Sequence, residues 1–340
     1  MSDAPFEYDG LTTPADWLCE NCKQRRDQHP CMAEFKRTKL NVAGMLRIKN
    51  EGRWIAEVIE GALKLCDHLF VLDDHSTDDT ATVCQRYSGR LTLCPSPFSG
   101  FNEARDKNWL FDKIMVRCEP AWILCVDGDE VLTERSADAI RQAIQDPDCP
   151  AYSLQILYLW NDRQTMRTDW VYGEFWRPSI FRPLYILPDT PDHITLARAL
   201  RFMPTPFGRR EDNHTPNFHC SSVPQAYLGR SKRCPGGSLL HLGYMHREDR
   251  VKKLDFYTLH DWLNRSEDCY RHMTQGDNVR ADELLHAAEL LAAGQISEED
   301  IRFITDLPIE VKHGQIWCGR PLLHAGPLTL RPLASVGIAG

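Results

Sequence analysis

The sequence predicts an α/β protein: a mostly parallel central sheet flanked by helices, followed by a helical C-terminal region. Three observations carry this expectation. Between Leu40 and Glu130 four short apolar segments are joined by amphipathic or loop stretches, the rhythm of βαβ units. The fourth segment is a continuous apolar run, Ala121-Trp-Ile-Leu-Cys-Val126, as a parallel strand buried on both faces requires. The second and fourth segments end abruptly in acids, Asp73-Asp74 and Asp127-Gly-Asp129-Glu130, and ligands of open α/β sheets sit outside the carboxyl ends of strands.

Val42 to Ile48 is the first expected strand, Lys49-Asn-Glu-Gly52 a turn, and Arg53 to Cys66 a helix with Ile55, Val58, Ile59, Ala62 and Cys66 on one face. Leu69 to Leu72 is the second strand. Ser76 or Thr77 is placed to cap a helix starting near Asp78, whose acids suit its positive end. Arg90 to Cys94 is the third strand, followed by a Pro-rich loop from Pro95 to Phe101 and a helix from about Asn102 to Val116. Beyond Glu130 the pattern gives a helix from Thr133 to Gln145 and a strand from Ala151 to Trp160. An irregular region rich in Arg, Pro and aromatic residues runs from 161 to 237. An apolar run, Leu239-Leu-His-Leu-Gly-Tyr244, and helices over 249–263 and 281–293 follow.

Composition sets bounds on function. Of 340 residues, 42% are hydrophobic and 26% charged, ordinary values for a globular chain. The net charge of -8 argues against broad electrostatic binding to nucleic acid. No stretch approaches the ~18 to 20 apolar residues that cross a bilayer, and MSDAPFEYDG lacks the basic and apolar regions of a signal peptide, so a cytoplasmic protein is expected. Thirteen cysteines, an odd number lying mostly in apolar segments, suit reduced core thiols. Within residues 1–38, Cys19-x2-Cys22, His29 and Cys31 offer three or four structural zinc ligands.

The acids after the fourth strand are the main candidate site. Two carboxylates about 4 Å apart repel by roughly 1 kcal/mol in water and ~4 kcal/mol at a protein surface, so crowding them favours a bound cation. Asp-x-Asp alone proves little, since Asp146-Pro-Asp148 repeats it in what reads as a solvated turn. The preceding apolar strand separates the two copies, and an oxygen-ligated divalent ion holding a phosphate-bearing substrate is the chemistry expected at the first.

Residues from about Lys39 to Asp148 resemble the nucleotide-sugar-binding half of family 2 glycosyltransferases, which have the GT-A (Rossmann-like) fold. The residues that carry the resemblance are Lys49-Asn50-Glu51, Leu72-Asp-Asp-His-Ser-Thr-Asp78, Gly100-x-x-x-Ala-Arg105 and Asp127-Gly-Asp129, in the family's order and spacing. The resemblance implies that Asp73 or Asp74 recognises the base with Asn50 and Glu51 near the nucleoside, and that Arg105 approaches the nucleotide. It further implies that Asp127 is shared between ribose and metal, and that Asp129 ligates Mn2+ or Mg2+. The chain departs from the family's Ala-Arg-Asn by placing Asp106 after Arg105. A histidine from the C-terminal half often completes such a metal site, and His241 is the candidate.

For an inverting transferase the resemblance points to Asp212, in Glu211-Asp212, as general base, with Glu174 as another candidate within the aromatic stretch Tyr-Gly-Glu-Phe-Trp. Glu248-Asp249 reads as the start of a helix. Trp160, Trp170, Phe175 and Trp176 either stack on an acceptor or belong to the core.

The chain then divides into a Cys-rich leader (1–38), a GT-A catalytic domain (39–245, with its donor half at 39–148 and acceptor half at 149–245), C-terminal helices (246–310) and an extended tail (311–340). The expected function is metal-dependent transfer of a sugar, hexosyl or related, from a nucleotide-diphosphate sugar to an acceptor hydroxyl on a glycan, lipid-linked glycan or protein. Alternatives are transfer to a hydroxymethylated nucleic-acid base, kept open by Arg209-Arg210 and the basic segment 230–233, and a non-catalytic nucleotide-sugar-binding protein. A nucleotidyltransferase would need a Gly-rich basic loop after the first strand, which Lys49-Asn-Glu-Gly52 does not supply.

Overall fold

A computed structural model describes residues 38–169, 172–183, 200–203, 220–260, 270–274, 309–312, 315–318 and 330–333. The zinc candidates Cys19, Cys22, His29 and Cys31, the base candidate Asp212, Trp170 and the expected helix at 281–293 lie outside the described residues. The chain clusters into two units, one of residues 1–157 and 175–242 and the other of 158–174 and 243–340.

The first unit is built on an eight-stranded sheet. Its parallel half holds β1 (Thr38–Ile48), β2 (His68–Asp73), β3 (Leu91–Pro95) and β4 (Cys118–Asp127) in the spatial order β3-β2-β1-β4. The helices α1 (Ile55–Leu63), α2 (Thr80–Gln85) and α3 (Glu103–Arg117) connect these strands. Registers Ile48↔Asp73 and Arg47↔Asp127 bring the acid-bearing ends of β2 and β4 to the two sides of β1.

Past β4 the sheet turns antiparallel, in the order β8-β6-β9-β5: β8 (Trp176–Phe181) pairs with both β4 and β6 (Ala151–Tyr158), and β9 (Lys232–His241) pairs with β5 (Glu130–Leu132). The strand starting at Ala151 therefore does not extend the parallel half, because β8 comes between it and β4. β8 and the first part of β9 fall in the stretch expected to be irregular, while the end of β9 lies in the apolar run that begins at Leu239. Pro178 sits at the register shift between β6 and β8, a position where a strand tolerates proline. Pro235-Gly236-Gly237 similarly hides β9, with Gly236 in the left-handed region at φ 77°.

Helix boundaries follow the local chemistry. Asn102 caps α3 by accepting a hydrogen bond from Arg105 N at 3.0 Å, and Thr133 caps α4 (Glu134–Ala143) by accepting from Ser136 N at 3.2 Å. The expected cap at Ser76 or Thr77 does not form. Helix α2 begins at Thr80, whose N–H is taken by Asp78, while Ser76 and Thr77 bond to Asn50 instead.

Between sheet and helices lies an aromatic centre in which Phe111, Phe181 and Phe202 are fully buried, with ring centroids 6.0 to 6.1 Å apart. Cys66, Cys84, Cys94, Cys118, Cys125, Cys149 and Cys234 are buried free thiols, as expected. Gly44 lets β1 pass close to its neighbour: a Cβ there would lie 2.3 Å from Leu69 Cδ2, and Leu69 is itself fully buried. Gly44→Ala is expected to lower unfolding free energy by about 1–3 kcal/mol, read as a lower urea midpoint with unchanged slope.

In the second unit, Trp160, Tyr172, Tyr244 and Met273 form a buried cluster. Arg167 lies 4.2 Å over the Tyr172 ring and makes a fork to Asp169 at 2.9 and 2.8 Å. Arg250 lies 4.3 Å over Trp160 and donates to Tyr244 O at 2.7 Å. Trp160 is thus a core residue and not an acceptor platform. The helix α5 (Arg247–His260) carries Glu248-Asp249 in its first turn, where the sequence placed a helix start, and Glu174 is exposed. The short strands β7 (Thr165–Arg167) and β12 (Leu330–Pro332) pair, as do β10 (Ile309–Lys312) and β11 (Gln315–Cys318). Among the described residues no helix is long and apolar enough to cross a membrane.

Candidate active site

The carboxyl ends of β1 and β2 form one side of the site. Asp74 is buried and receives Arg47 Nη2 at 2.7 Å, with Lys49 Nζ at 3.5 Å. The other side of the Arg47 guanidinium donates to Asp106 at 2.9 Å, and its face lies 4.6 Å over Phe101. Asp106, fully buried, also takes Arg105 Nε at 3.0 Å. Arg105 spends its remaining nitrogens on the carbonyls of Ser99 (3.2 Å) and Gly100 (2.8 Å) and stacks over Phe98 at 4.4 Å. Its visible work is therefore to fasten the 95–101 loop to the start of α3.

Asp73 is half-buried, and its Oδ1 accepts from Ser76 N at 3.1 Å. Asn50 has φ 55°, a conformation asparagine tolerates, and its Oδ1 accepts from Thr77 N at 2.7 Å. The turns after β1 and β2 are thus tied into one surface. Glu51 lies against the second acid group: a Cβ on Gly128 would fall 2.5 Å from Glu51 Cγ. Gly128 therefore makes room for Glu51 beside Asp127 and Asp129.

The other side is the end of β4. Asp127 Oδ2 accepts from Arg177 Nη1 at 3.0 Å, and Arg177 Nη2 donates to Glu130 Oε2. Glu130 Oε2 also takes the Asp127 N–H at 3.0 Å, closing the turn. Against its lost hydration, the Arg177 guanidinium, with Lys107 and His241, holds Asp127 well below the usual carboxylate range. Glu130 moves the opposite way. Its side chain is wholly buried, and burial together with the Asp127 charge outweighs Arg177 and raises it to about 7. Glu130 Oε1 has no hydrogen-bond partner, which suits a protonated oxygen better than a charged one.

Pairing of β5 with β9 sets Glu130 opposite His241, and Leu242 N donates to Asp129 O at 2.8 Å. His241 Nε2 consequently stands 3.9 Å from Asp129 Oδ1, with both side chains nearly buried. Asp127, Asp129 and His241 are brought to one end of the sheet. Among the described residues, however, no three His, Cys, Asp or Glu side chains converge into a ready-made cation cage.

Two cations were not singled out in the sequence. Arg177 lies beside Pro178 in the stretch that the sequence left irregular. Lys107 sits inside α3, buried, with Nζ 2.6 Å from Glu103; an interior helical lysine carries no sequence mark of its surroundings. Glu130, one of the acids that end the fourth apolar segment, begins β5 and anchors Arg177.

A mixed α/β sheet that gathers acids at the carboxyl ends of adjacent parallel strands, with loops tied over them, defines a ligand-binding α/β protein of the nucleotide-binding kind. Residues 47–205 match the family model described as Glycosyl transferase family 2. Among curated proteins, the chain is 24% identical over 223 residues to the lipopolysaccharide core biosynthesis glycosyltransferase LpsC of Rhizobium meliloti, covering 65% of this chain and 70% of that one. It is 23% identical over 239 residues to an uncharacterized protein of Mycobacterium bovis, covering 64% of this chain and 50% of that protein. The chain thus spans about half the length of the mycobacterial relatives it matches. Among solved structures, TarS of S. aureus aligns at a TM-score of 0.40 with 12% identity, over 76% of this chain and 50% of that one. The mannosyltransferase PcManGT of Pyrobaculum calidifontis, in complex with GDP-Man and Mn2+, aligns at 0.36 with 12% identity, over 83% and 84%.

Proposed function

We propose that the protein is an inverting glycosyltransferase that moves a sugar from a nucleotide-diphosphate sugar to an acceptor hydroxyl, assisted by Mn2+ or Mg2+. The observation that carries this reading is the pair of acid groups at the ends of β2 and β4, on the two sides of β1, within a segment that matches the model of glycosyl transferase family 2. Asp73 has one carboxylate oxygen on Ser76 N, which leaves the other for a base or ribose. Asp74 is committed to Arg47 and serves to hold that end of the pocket rigid.

The residues present fit a hard divalent ion. Such ions commonly take one or two protein carboxylates and fill their remaining positions with substrate phosphate and water, so a three-residue cage is not needed. Asp129 Oδ1 and His241 Nε2, at 3.9 Å, are too far apart for a hydrogen bond. Ligand atoms ~2.1 Å from one ion lie about 3 Å apart when adjacent, so a shift of roughly 1 Å would make them partners. Asp129 and His241, with Asp127, would hold the ion, and its Lewis acidity would stabilise the charge that builds on the departing nucleoside diphosphate. Asp212 or Glu174 would take the acceptor proton. The likeness to LpsC favours a glycan or lipid-linked glycan as acceptor over a nucleic-acid base.

The test is release of nucleoside diphosphate from a panel of nucleotide sugars with Mn2+ or Mg2+, with and without candidate acceptors. Metal-stimulated release from one donor is expected. No release from any of them, together with no donor binding, would overturn the reading.

A further inference from the structure

The proposed function explains why acids crowd the end of β4, but the structure already answers their charge. Arg177 starts in β8, the antiparallel neighbour of β4, and its planar fork bridges two carboxylates of different character. On one side is Glu130, with a side chain at 0% exposure. On the other is Asp127, with a side chain at 41% exposure, at the mouth of the site. The guanidinium is therefore fixed from below and meets, at its outer end, the carboxylate that a divalent ion would need. Lys107, buried in α3, adds a second positive charge acting on Asp127.

We propose that Arg177 is the resident cation of this site. It competes with the divalent ion for Asp127, and it binds the diphosphate of the donor through the same outer edge of its fork. This rests on the proposed function and deepens it, by assigning a nucleoside-diphosphate contact to a residue of β8. The chemistry follows from geometry. A fork held by a buried acid is preorganised for phosphate oxygens, and arginine meets such anions with two parallel donors where lysine offers a point charge. The same positive charge raises the cost of placing a divalent ion on Asp127. One side chain thereby has opposite effects on the two ligands, which a merely structural residue would not have.

The experiment measures two affinities on the full chain. Mn2+ binding without donor is read by electron paramagnetic resonance of the free ion, and binding of UDP and GDP in EDTA is read by calorimetry, with uridine and guanosine as phosphate-free controls. For Arg177→Met, Mn2+ is expected to bind several-fold more tightly. The nucleoside diphosphate that the wild type prefers should bind about 10- to 100-fold more weakly in EDTA, the loss of one charge-assisted contact, with its nucleoside unchanged. Should this variant fail to fold, Arg177→Lys decides: charge is kept, so Mn2+ affinity stays near wild type, while diphosphate affinity falls because the fork is gone. A folded Arg177→Met protein with unchanged or weaker Mn2+ binding, or with unchanged diphosphate binding, overturns the inference. Wild-type protein that binds neither nucleoside diphosphate with or without Mn2+ overturns the proposed function instead, since Mn2+ competition is read without any donor.

Discussion

Asp129→Asn is expected to lower kcat/KM for sugar transfer about 10³-fold, the loss of roughly 4 kcal/mol of Lewis-acid stabilisation. Asparagine keeps the shape of aspartate, and the backbone carbonyl of residue 129 still accepts from Leu242 N, so the β5-β9 junction is retained. Thermal unfolding should therefore change little while metal stimulation disappears. The split between these two readouts is the informative part. A variant that loses stability and activity together would make Asp129 a structural partner of His241. A variant that keeps metal-stimulated turnover would remove it from the ion altogether.

The largest expected loss of stability comes from Arg47→Met. Arg47 is the only side chain that bridges the buried carboxylates of Asp74 and Asp106 among the described contacts, at 2.7 and 2.9 Å. Removing one partner of a buried pair costs about 3–5 kcal/mol because the other is left charged in a poorly hydrated place. Lys49 near Asp74 and Arg105 on Asp106 soften this, so about 3 kcal/mol is expected. It should appear as a lower denaturant midpoint, together with weaker nucleotide binding. A change within about 0.5 kcal/mol, the range of ordinary surface substitutions, would show that Lys49 and Arg105 suffice to neutralise both acids.

The parallel half was legible because each of its parts has a strong local cause. Continuous apolar runs mark strands buried on both faces, and Asn102 and Thr133 stand where helix caps are needed. In the antiparallel half β6 was legible, but β8 and the start of β9 were not, because β8 carries Pro178 at a register shift and β9 carries Pro235-Gly236-Gly237. Register, a tertiary property, decides such strands. The acids of the site could be read because several acids crowded at a strand end are unusual. Arg177 and Lys107 could not, since what distinguishes them is the company they keep across 50 residues (Arg177 with Asp127) or within a buried helix face. Sequence reasoning placed Arg105 at the nucleotide, and its hydrogen bonds go to Asp106 and the 95–101 loop; Arg105→Ala binding measurements test the donor contact.

The seam between β4 and β8 has a further meaning for how this site tolerates change. A strand inserted antiparallel beside a parallel one has its beginning where its neighbour has its end, so the pairing of Ile180 with Leu124 and of Phe181 with Ile123 sets Arg177, upstream in β8, within side-chain reach of Asp127, downstream in β4. Ladder-borne positions are insulated from length changes in the connections that precede them. The segment 158–174, which leads into β8, belongs to the other unit of the chain. Within it Trp160, Arg167 and Tyr172 are buried, so changes there answer to the core of that unit and not to the charge pattern at the end of β4.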